Sequence, residues 1–380
     1  MKILYIANAR IPTEKAHGYQ IMKMCQAFTE QGVRVSLWVP KRKNPIDEDP
    51  FEFYQIRPTF PIKRLWSLDL MPWFRGPFLR LAFWLQNLTF VLSSYAKIFQ
   101  ARDDIIFTRD AWSAWFLSKV HENVFYEMHD FPRSKLIYRG LFKKIKGLVS
   151  TNFWKAEQVK RIFNFPDEKI LVAFNGVDFN AFQVFESREE AGAKLGLPND
   201  KKIILYTGHL YSWKGVDVLA KAVDYLSDDV LVVFVGGTEK DVAGFTKEYV
   251  QKNKRIRLIG HRPHKEIPLY LRAADVLVLP NTAKEKISLT ETSPLKIFEY
   301  LASGTPVVAS DIPSIREVVK DNIEVLLFKP DNSRDLAVKI KKLLDNYDLA
   351  KKMGDRGRDF ARENTWARRV EKILTFMSFA

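Results

Sequence analysis

The segment Ile203-Ile-Leu-Tyr-Thr-Gly208-His209-Leu210-Tyr-Ser-Trp-Lys214-Gly215 reads as a β-branched strand, a glycine turn, a loop, and a helix beginning near Val216. That order is the signature of an α/β unit, in which a strand delivers a loop to the carboxyl edge of a parallel sheet, where open sheets hold ligands. Gly208 lets the backbone come close to a ligand, and Lys214 adds a mobile cation beside it. Working outward, short apolar runs alternate with amphipathic helical segments along the whole chain, which predicts α/β units with parallel sheets. Strands are expected at residues 3–7, 33–39, 105–108, 124–128, 147–150 and 169–173, and in a second series at 203–207, 230–235, 256–259, 276–279, 306–309 and 325–328.

The two series are separated by the turn signal Asn175-Gly-Val-Asp178. We therefore expect two Rossmann-like domains, residues 1–176 and 177–362, with a cleft at their junction and a terminal helix over 363–380 packing back on the first domain. A chain of 380 residues with 47% hydrophobic content is large enough to fill two cores.

Lys and Arg total 60 against 45 Asp and Glu, a formal charge of +15 with a pI near 9.6. Such a balance favours an anionic partner: nucleic acid, an acidic membrane surface or a phosphorylated ligand. Cys25 is the sole cysteine, so an intramolecular disulfide and a cysteine-based zinc site are both excluded, and a reducing compartment fits. The N-terminal apolar run is too short for a signal peptide and reads as a buried strand. The most apolar stretch, residues 81–96, falls short of the roughly 20 residues a spanning helix needs. The expected location is cytoplasmic, with peripheral contact to the inner face of the plasma membrane.

A second segment carries the chemistry: Glu291-Thr-Ser-Pro-Leu-Lys-Ile-Phe-Glu299. Ser293 is expected as the N-cap and Pro294 as the first helical residue, with the helix running on through Leu295 until Gly304 stops it. The free N–H groups of such a start attract an anion. Lys296 in the first turn would ordinarily be disfavoured by about 0.3–1 kcal/mol, which a nearby phosphate would offset. Glu291 and Glu299 can address opposite ends of one ligand.

Other nucleotide motifs are missing. The Lys214 loop lacks the Gly-x-x-x-x-Gly-Lys-Ser/Thr spacing, and the first strand runs into Asn8-Ala-Arg-Ile-Pro12 without Gly-x-Gly-x-x-Gly, which argues against an ATPase or a dinucleotide dehydrogenase. Asp47-Glu48-Asp49 imitates a metal signature, but its basic and proline-rich surroundings read as a solvated loop, and no metal site is expected.

Taken together, Gly208-His-Leu-x-x-x-Lys214-Gly215, Glu291 and Glu299 with seven residues between them, and Gly304-x-Pro306-Val-Val-Ala-Ser resemble the retaining glycosyltransferases of family 4, the glycosyl transferases group 1, with the GT-B fold. Asn175-Gly-Val-Asp178, Ala274-Asp275-Val-Leu-Val-Leu-Pro280, His129-Asp130 and Gly18 extend the resemblance over most of the chain. It implies that Glu299 binds the ribose of a nucleoside diphosphate sugar and that Glu291 contacts the donor sugar. Lys214 would neutralise the leaving diphosphate, and Ser293, Pro294 and Leu295 would lie at the helix start that meets the phosphates. His129 would contact sugar or acceptor, and Gly18 would let the first loop close over the diphosphate. The family commonly carries arginine where His209 stands, so His209 is expected to act as a hydrogen-bond donor rather than a fixed cation. Arg262, with His261 and His264, falls near the expected base site, and a solvated loop there is equally in keeping with the sequence. His17 competes with Gly18 for the diphosphate role.

Residues 57–102 interleave Arg57, Lys63, Arg64, Arg75 and Arg80 with Trp66, Trp73, Phe74, Phe78 and Trp84. The part before Phe78 reads as a docking surface for an anionic membrane. Phe78 to Phe99, apolar nearly all round, reads as a core helix packed under the first sheet. The expected activity is transfer of a sugar from a UDP- or GDP-sugar to a hydroxyl of a glycan or lipid-linked acceptor, with retention, without cofactor or metal, and without nucleic acid as partner. A nucleotide-sugar epimerase and a basic nucleic-acid-binding protein are the alternatives.

Overall fold

The computed structural model describes residues 1–74, 76–99, 105–131 and 135–379, and Arg75 lies outside them. The chain divides into two compact units: Met1–Phe174 with Trp366–Ala380, and Asn175–Thr365.

Among the described residues, the first unit holds a seven-stranded sheet of β1 (Lys2–Ile6), β2 (Arg34–Pro40), β3 (Ile62–Leu65), β4 (Ile105–Thr108), β5 (Val124–Met128), β6 (Gly147–Ser150) and β7 (Ile170–Val172). Their order is β3-β2-β1-β4-β5-β6-β7, and every pairing is parallel. In the second unit β8 (Lys202–Thr207), β9 (Val230–Val235), β10 (Ile256–Gly260), β11 (Val276–Leu279), β12 (Val307–Ser310) and β13 (Leu326–Phe328) form a parallel sheet in the order β10-β9-β8-β11-β12-β13. The strands are continuous apolar runs because helices cover both faces of each sheet: β9 is buried at every position, as a parallel strand must be. In both sheets the order reverses beside the first strand of its series, between β1 and β4 and between β8 and β11. There adjacent connections leave on opposite faces and open a crevice at the carboxyl edge.

All twelve expected strands form, within one or two residues at their ends. β3 was not anticipated. Ile62-Lys63-Arg64-Leu65 is short and charged, with Lys63 and Arg64 exposed, which is how an edge strand resists pairing with other chains. The Pro77–Ile98 helix departs further from expectation. Ala82, Gln86, Phe90 and Ser94 form its buried face, whereas Phe78, Leu81, Trp84, Leu88 and Leu92 are exposed. Two of its inner donors are engaged: Gln86 Nε2 donates to Asn8 at 2.9 Å and Ser94 to the Phe90 carbonyl at 2.9 Å. The reading of a helix buried all round is thus corrected to one buried on a single, partly polar face.

The Trp366–Phe379 helix belongs to the first unit. Arg369, 4% exposed, pairs with Glu127 at 2.5 Å and donates to the Phe174 carbonyl at 2.7 Å, while Phe376 meets Phe125 edge-on at 5.9 Å. Asp49 accepts from the backbone N–H of Phe51 and Glu52, capping the Pro50–Tyr54 helix.

Candidate functional site

Within the second unit, the expected donor residues gather at the carboxyl end of β8. Thr207, its last residue, is tied to the Leu295–Ser303 helix at both backbone groups. Lys296 Nζ donates to the Thr207 carbonyl at 2.7 Å, and the Thr207 N–H donates to the Tyr300 hydroxyl at 2.8 Å. These two bonds set the start of that helix beside Gly208. Gly208 has φ of 123°, and a Cβ there would sit 2.6 Å from Lys296 Nζ. Glycine is required by both the backbone and the ammonium.

The loop from His209 to Lys214 is held by stacked rings. His209 lies on Tyr211 with centroids 4.8 Å apart, Tyr211 on Trp213 at 6.4 Å, and Lys214 Nζ stands 3.7 Å above the Trp213 ring. Gly215 then turns the chain with φ of 67°, and a side chain there would collide with the Pro280 carbonyl after β11. The Thr282 N–H donates to the Trp213 carbonyl at 3.3 Å. The Lys214 loop and the β11 loop therefore touch at the point where strand order reverses.

Two ammonium groups share this place. Burial draws the Lys214 pKa down to about 7. Lys296 is held well below the ordinary lysine range, first by burial and then by the Lys214 charge, with Glu299 opposing. His209 is lowered by burial and then by Lys296, so it stays neutral near pH 7. Its Nδ1 is buried with no hydrogen-bond partner among the described residues, as are both polar atoms of the Asn281 side chain. Asn281 is fully buried, and an unpaired buried amide costs about 1–3 kcal/mol. Two nearby lysines and orphaned polar groups make a place suited to an anion, which would favour the charged form of both lysines.

The helix start differs in detail from expectation. The Leu295–Ser303 helix has Pro294 at its N-cap, and no side chain caps it. Ser293 instead accepts from Asn175 Nδ2, at 2.9 Å on its carbonyl and 3.2 Å on its hydroxyl. The side chain that would have capped the N–H groups is engaged by the 175–178 turn. Lys296 does not stand over the helix mouth either; its chain runs back to β8, 4.0 Å above the Tyr206 ring. Glu299, with a side chain 12% exposed, lies 2.8 Å from His264 Nε2. Glu291 pairs with Lys286 at 3.3 Å. Arg262 is engaged with Tyr270 at 3.3 Å and Glu266 at 3.8 Å. Of the histidine loop, it is His264 that reaches the site.

The first unit carries its own cluster at the carboxyl ends of β1, β4 and β5. His129 Nε2 lies 3.0 Å from Glu127 and 3.4 Å from Gln20, and Arg109 donates to Gln20 at 2.8 Å. Burial, then Arg109, pulls the His129 pKa to about 3, against the pull of Glu127. Burial pushes the Glu127 carboxyl up, but Arg369 and His129 outweigh it and hold it well below the usual range. His17 is lowered to about 4 by burial and by Arg109. Gly18 is not in a closing loop. It sits in the Ala16–Glu30 helix, where a Cβ would strike the Tyr54 hydroxyl, itself bonded to the Thr13 backbone at 2.7 and 2.8 Å. Its smallness serves packing of that hydroxyl.

Sequence reasoning missed Asn281 and the inward reach of Lys296, and it set His264 near the base site without its contact to Glu299. Asn281 follows directly on the Ala274–Pro280 motif, and its polarity after so apolar a run was the available signal.

Residues 187–360 match the family described as Glycosyl transferases group 1. The chain is 27% identical over 212 residues to D-inositol 3-phosphate glycosyltransferase 1 of Catenulispora acidiphila, covering 52% of this chain; it spans about half, 49%, of that relative's length. Among solved structures, a sucrose-phosphate synthase from Thermosynechococcus elongatus superposes with a TM-score of 0.79 at 20% identity, over 100% of this chain and 98% of that one. Anabaena HepE in complex with UDP superposes with a TM-score of 0.74 at 16% identity, over 100% of both chains.

Proposed function

We propose, from the match of residues 187–360 to the group 1 glycosyl transferases and from the GT-B fold, that the chain is a glycosyltransferase that moves a sugar from a nucleoside diphosphate sugar to an acceptor hydroxyl with retention at the anomeric carbon. The observation that carries the reading is the convergence at the end of β8 of Lys214, Lys296, the Gly208 backbone and the start of the Leu295–Ser303 helix, with Glu299 one turn further along. That is a pyrophosphate cradle with a carboxylate placed to accept from ribose hydroxyls. UDP is the nucleotide bound by HepE, and a UDP-sugar is the first donor to try, with GDP-sugars second.

The bond from the anomeric carbon to the β-phosphate oxygen breaks as the acceptor oxygen attacks the same face, and the acceptor proton passes to the leaving phosphate oxygen. Negative charge grows on the diphosphate, so the protein's largest contribution is fixed positive charge there. Lys214 supplies it, and Lys296 replaces the arginine that family members commonly carry where this chain has neutral His209. The two lysines and the helix start give the leaving group its counter-charge without requiring a metal. Glu291 contacts the donor sugar once released from Lys286. His129, neutral and oriented by Glu127, serves as a hydrogen-bonding group toward sugar or acceptor. The acceptor is a glycan or lipid-linked saccharide.

The test is ligand-induced thermal stabilisation with UDP- and GDP-sugars, followed by NMR of the product's anomeric configuration. Stabilisation by one donor class and a retained product support the reading. Absence of stabilisation by any donor, an inverted product, or an isomerised sugar formed without acceptor overturns it.

A further inference from the structure

We propose that the outward face of the Pro77–Ile98 helix, together with the adjoining β3 edge, docks on an anionic lipid bilayer. At about 100° per residue, Leu81, Trp84, Leu88 and Leu92 fall in one stripe, exposed by 58%, 51%, 41% and 52%. A surface helix ordinarily turns such a stripe inward. Here the inward face is already filled by Ala82, Phe90 and the bonded Gln86 and Ser94, so packing of that face does not account for the exposure of Leu81, Leu88 and Leu92. Trp66 and Trp73, exposed by 62% and 72%, extend the apolar surface ahead of the helix. An exposed apolar stripe along one helix face, with two exposed tryptophans preceding it in the chain, marks an interaction surface.

Charge identifies the occupant. Between residues 57 and 99 the cations are Arg57, Lys63, Arg64, Arg75, Arg80 and Lys97, against Asp69 alone. Asp69 is engaged 3.5 Å from Arg42. Just after the Ala111–Leu117 helix, Lys119 stands 4.2 Å over Trp115 of that helix, and Trp84 packs edge-on against its Trp112 at 4.9 Å. Apolar stripe, tryptophans and flanking cations are the composition of a helix lying in the plane of an anionic interface. Among the described residues no helix is long and apolar enough to cross a membrane, so the helix lies on the surface. A second copy is disfavoured as occupant, because a two-fold contact through this face would set like charges against each other.

The experiment is co-sedimentation with phosphatidylglycerol–phosphatidylcholine vesicles and with phosphatidylcholine vesicles alone, without nucleotide. Wild type is expected to partition about tenfold or more in favour of the anionic vesicles. Leu88→Glu/Leu92→Glu should lose that binding with unchanged thermal stability, and Lys63→Ala/Arg64→Ala/Arg80→Ala should lose the anionic preference. Equal sedimentation of wild type and the Leu88/Leu92 variant, or equal binding to both vesicle types, overturns the proposal. So does a lipid-free dimer that the Leu88/Leu92 variant dissolves, which would assign the face to a second copy. Lys214→Ala should sediment as wild type does, so the donor reading and this one fail separately.

Discussion

Glu299 and His264 lie 2.8 Å apart, carboxylate to imidazole, on elements 35 residues distant in sequence. The His264 ring also meets Phe182 edge-on at 6.0 Å. A ribose binding to Glu299 must share or displace this contact. Glu299→Ala should weaken donor binding by about 1.5–3 kcal/mol, the worth of hydrogen bonds to a charged group. His264→Ala, which frees the carboxylate, should leave binding equal or tighter. Calorimetric titration with the donor's nucleoside diphosphate checks both; a His264→Ala loss matching that of Glu299→Ala would mean that the pair acts as one unit.

The Lys214 pKa near 7 gives the reaction a pH limb. In the free enzyme the ammonium is present below about pH 7 and is lost as pH rises through that value, so kcat/KM should fall about tenfold per unit above it. Lys214→Arg keeps its charge throughout the range and should flatten that limb, while Lys214→Ala should be low at every pH. Steady-state kinetics between about pH 6 and 9 read all three.

Lys296 is the second cation of the cradle. Lys296→Met should lower kcat by about 10²–10³, the usual effect of removing one donor to a developing anion. His209→Ala should cost less than about tenfold, because the imidazole is uncharged, and His209→Arg should recover part of the Lys296→Met loss. A His209→Ala defect as large as that of Lys296→Met would reverse the assignment.

Gly208→Ala places a Cβ 2.6 Å from Lys296 Nζ at a φ of 123°. About 1–3 kcal/mol of backbone strain should appear as a lower Tm, and displacement of the ammonium should weaken donor binding as well. A variant with wild-type Tm and affinity would show that the turn is slack.

In the first unit, Arg369→Met leaves buried Glu127 without its 2.5 Å partner and should destabilise by about 3–5 kcal/mol. The double variant Arg369→Met/Glu127→Leu should recover much of this. Urea unfolding measures both, and limited proteolysis should find the Trp366–Phe379 helix released first in the single variant.

The fold was largely legible because parallel strands buried on both faces are written as unbroken apolar runs, and helices between them as amphipathic ones. β3 escaped because a charged edge strand carries no such run. The Pro77–Ile98 helix was misjudged because composition reports how much of a helix is apolar and not which side meets the sheet.

The sequence by itself determined the α/β class, the two strand series, the glycine turns at Gly208 and Gly215, and the residue types of an anion site, since each rests on local periodicity or spacing. Only the tertiary structure decided that Lys296 reaches Thr207 across 89 residues, that His264 covers Glu299, and that Asn281 lies buried and unpaired beside the Lys214 loop. Those relations follow from the strand order β10-β9-β8-β11, a set of long-range pairings whose partners no local pattern names.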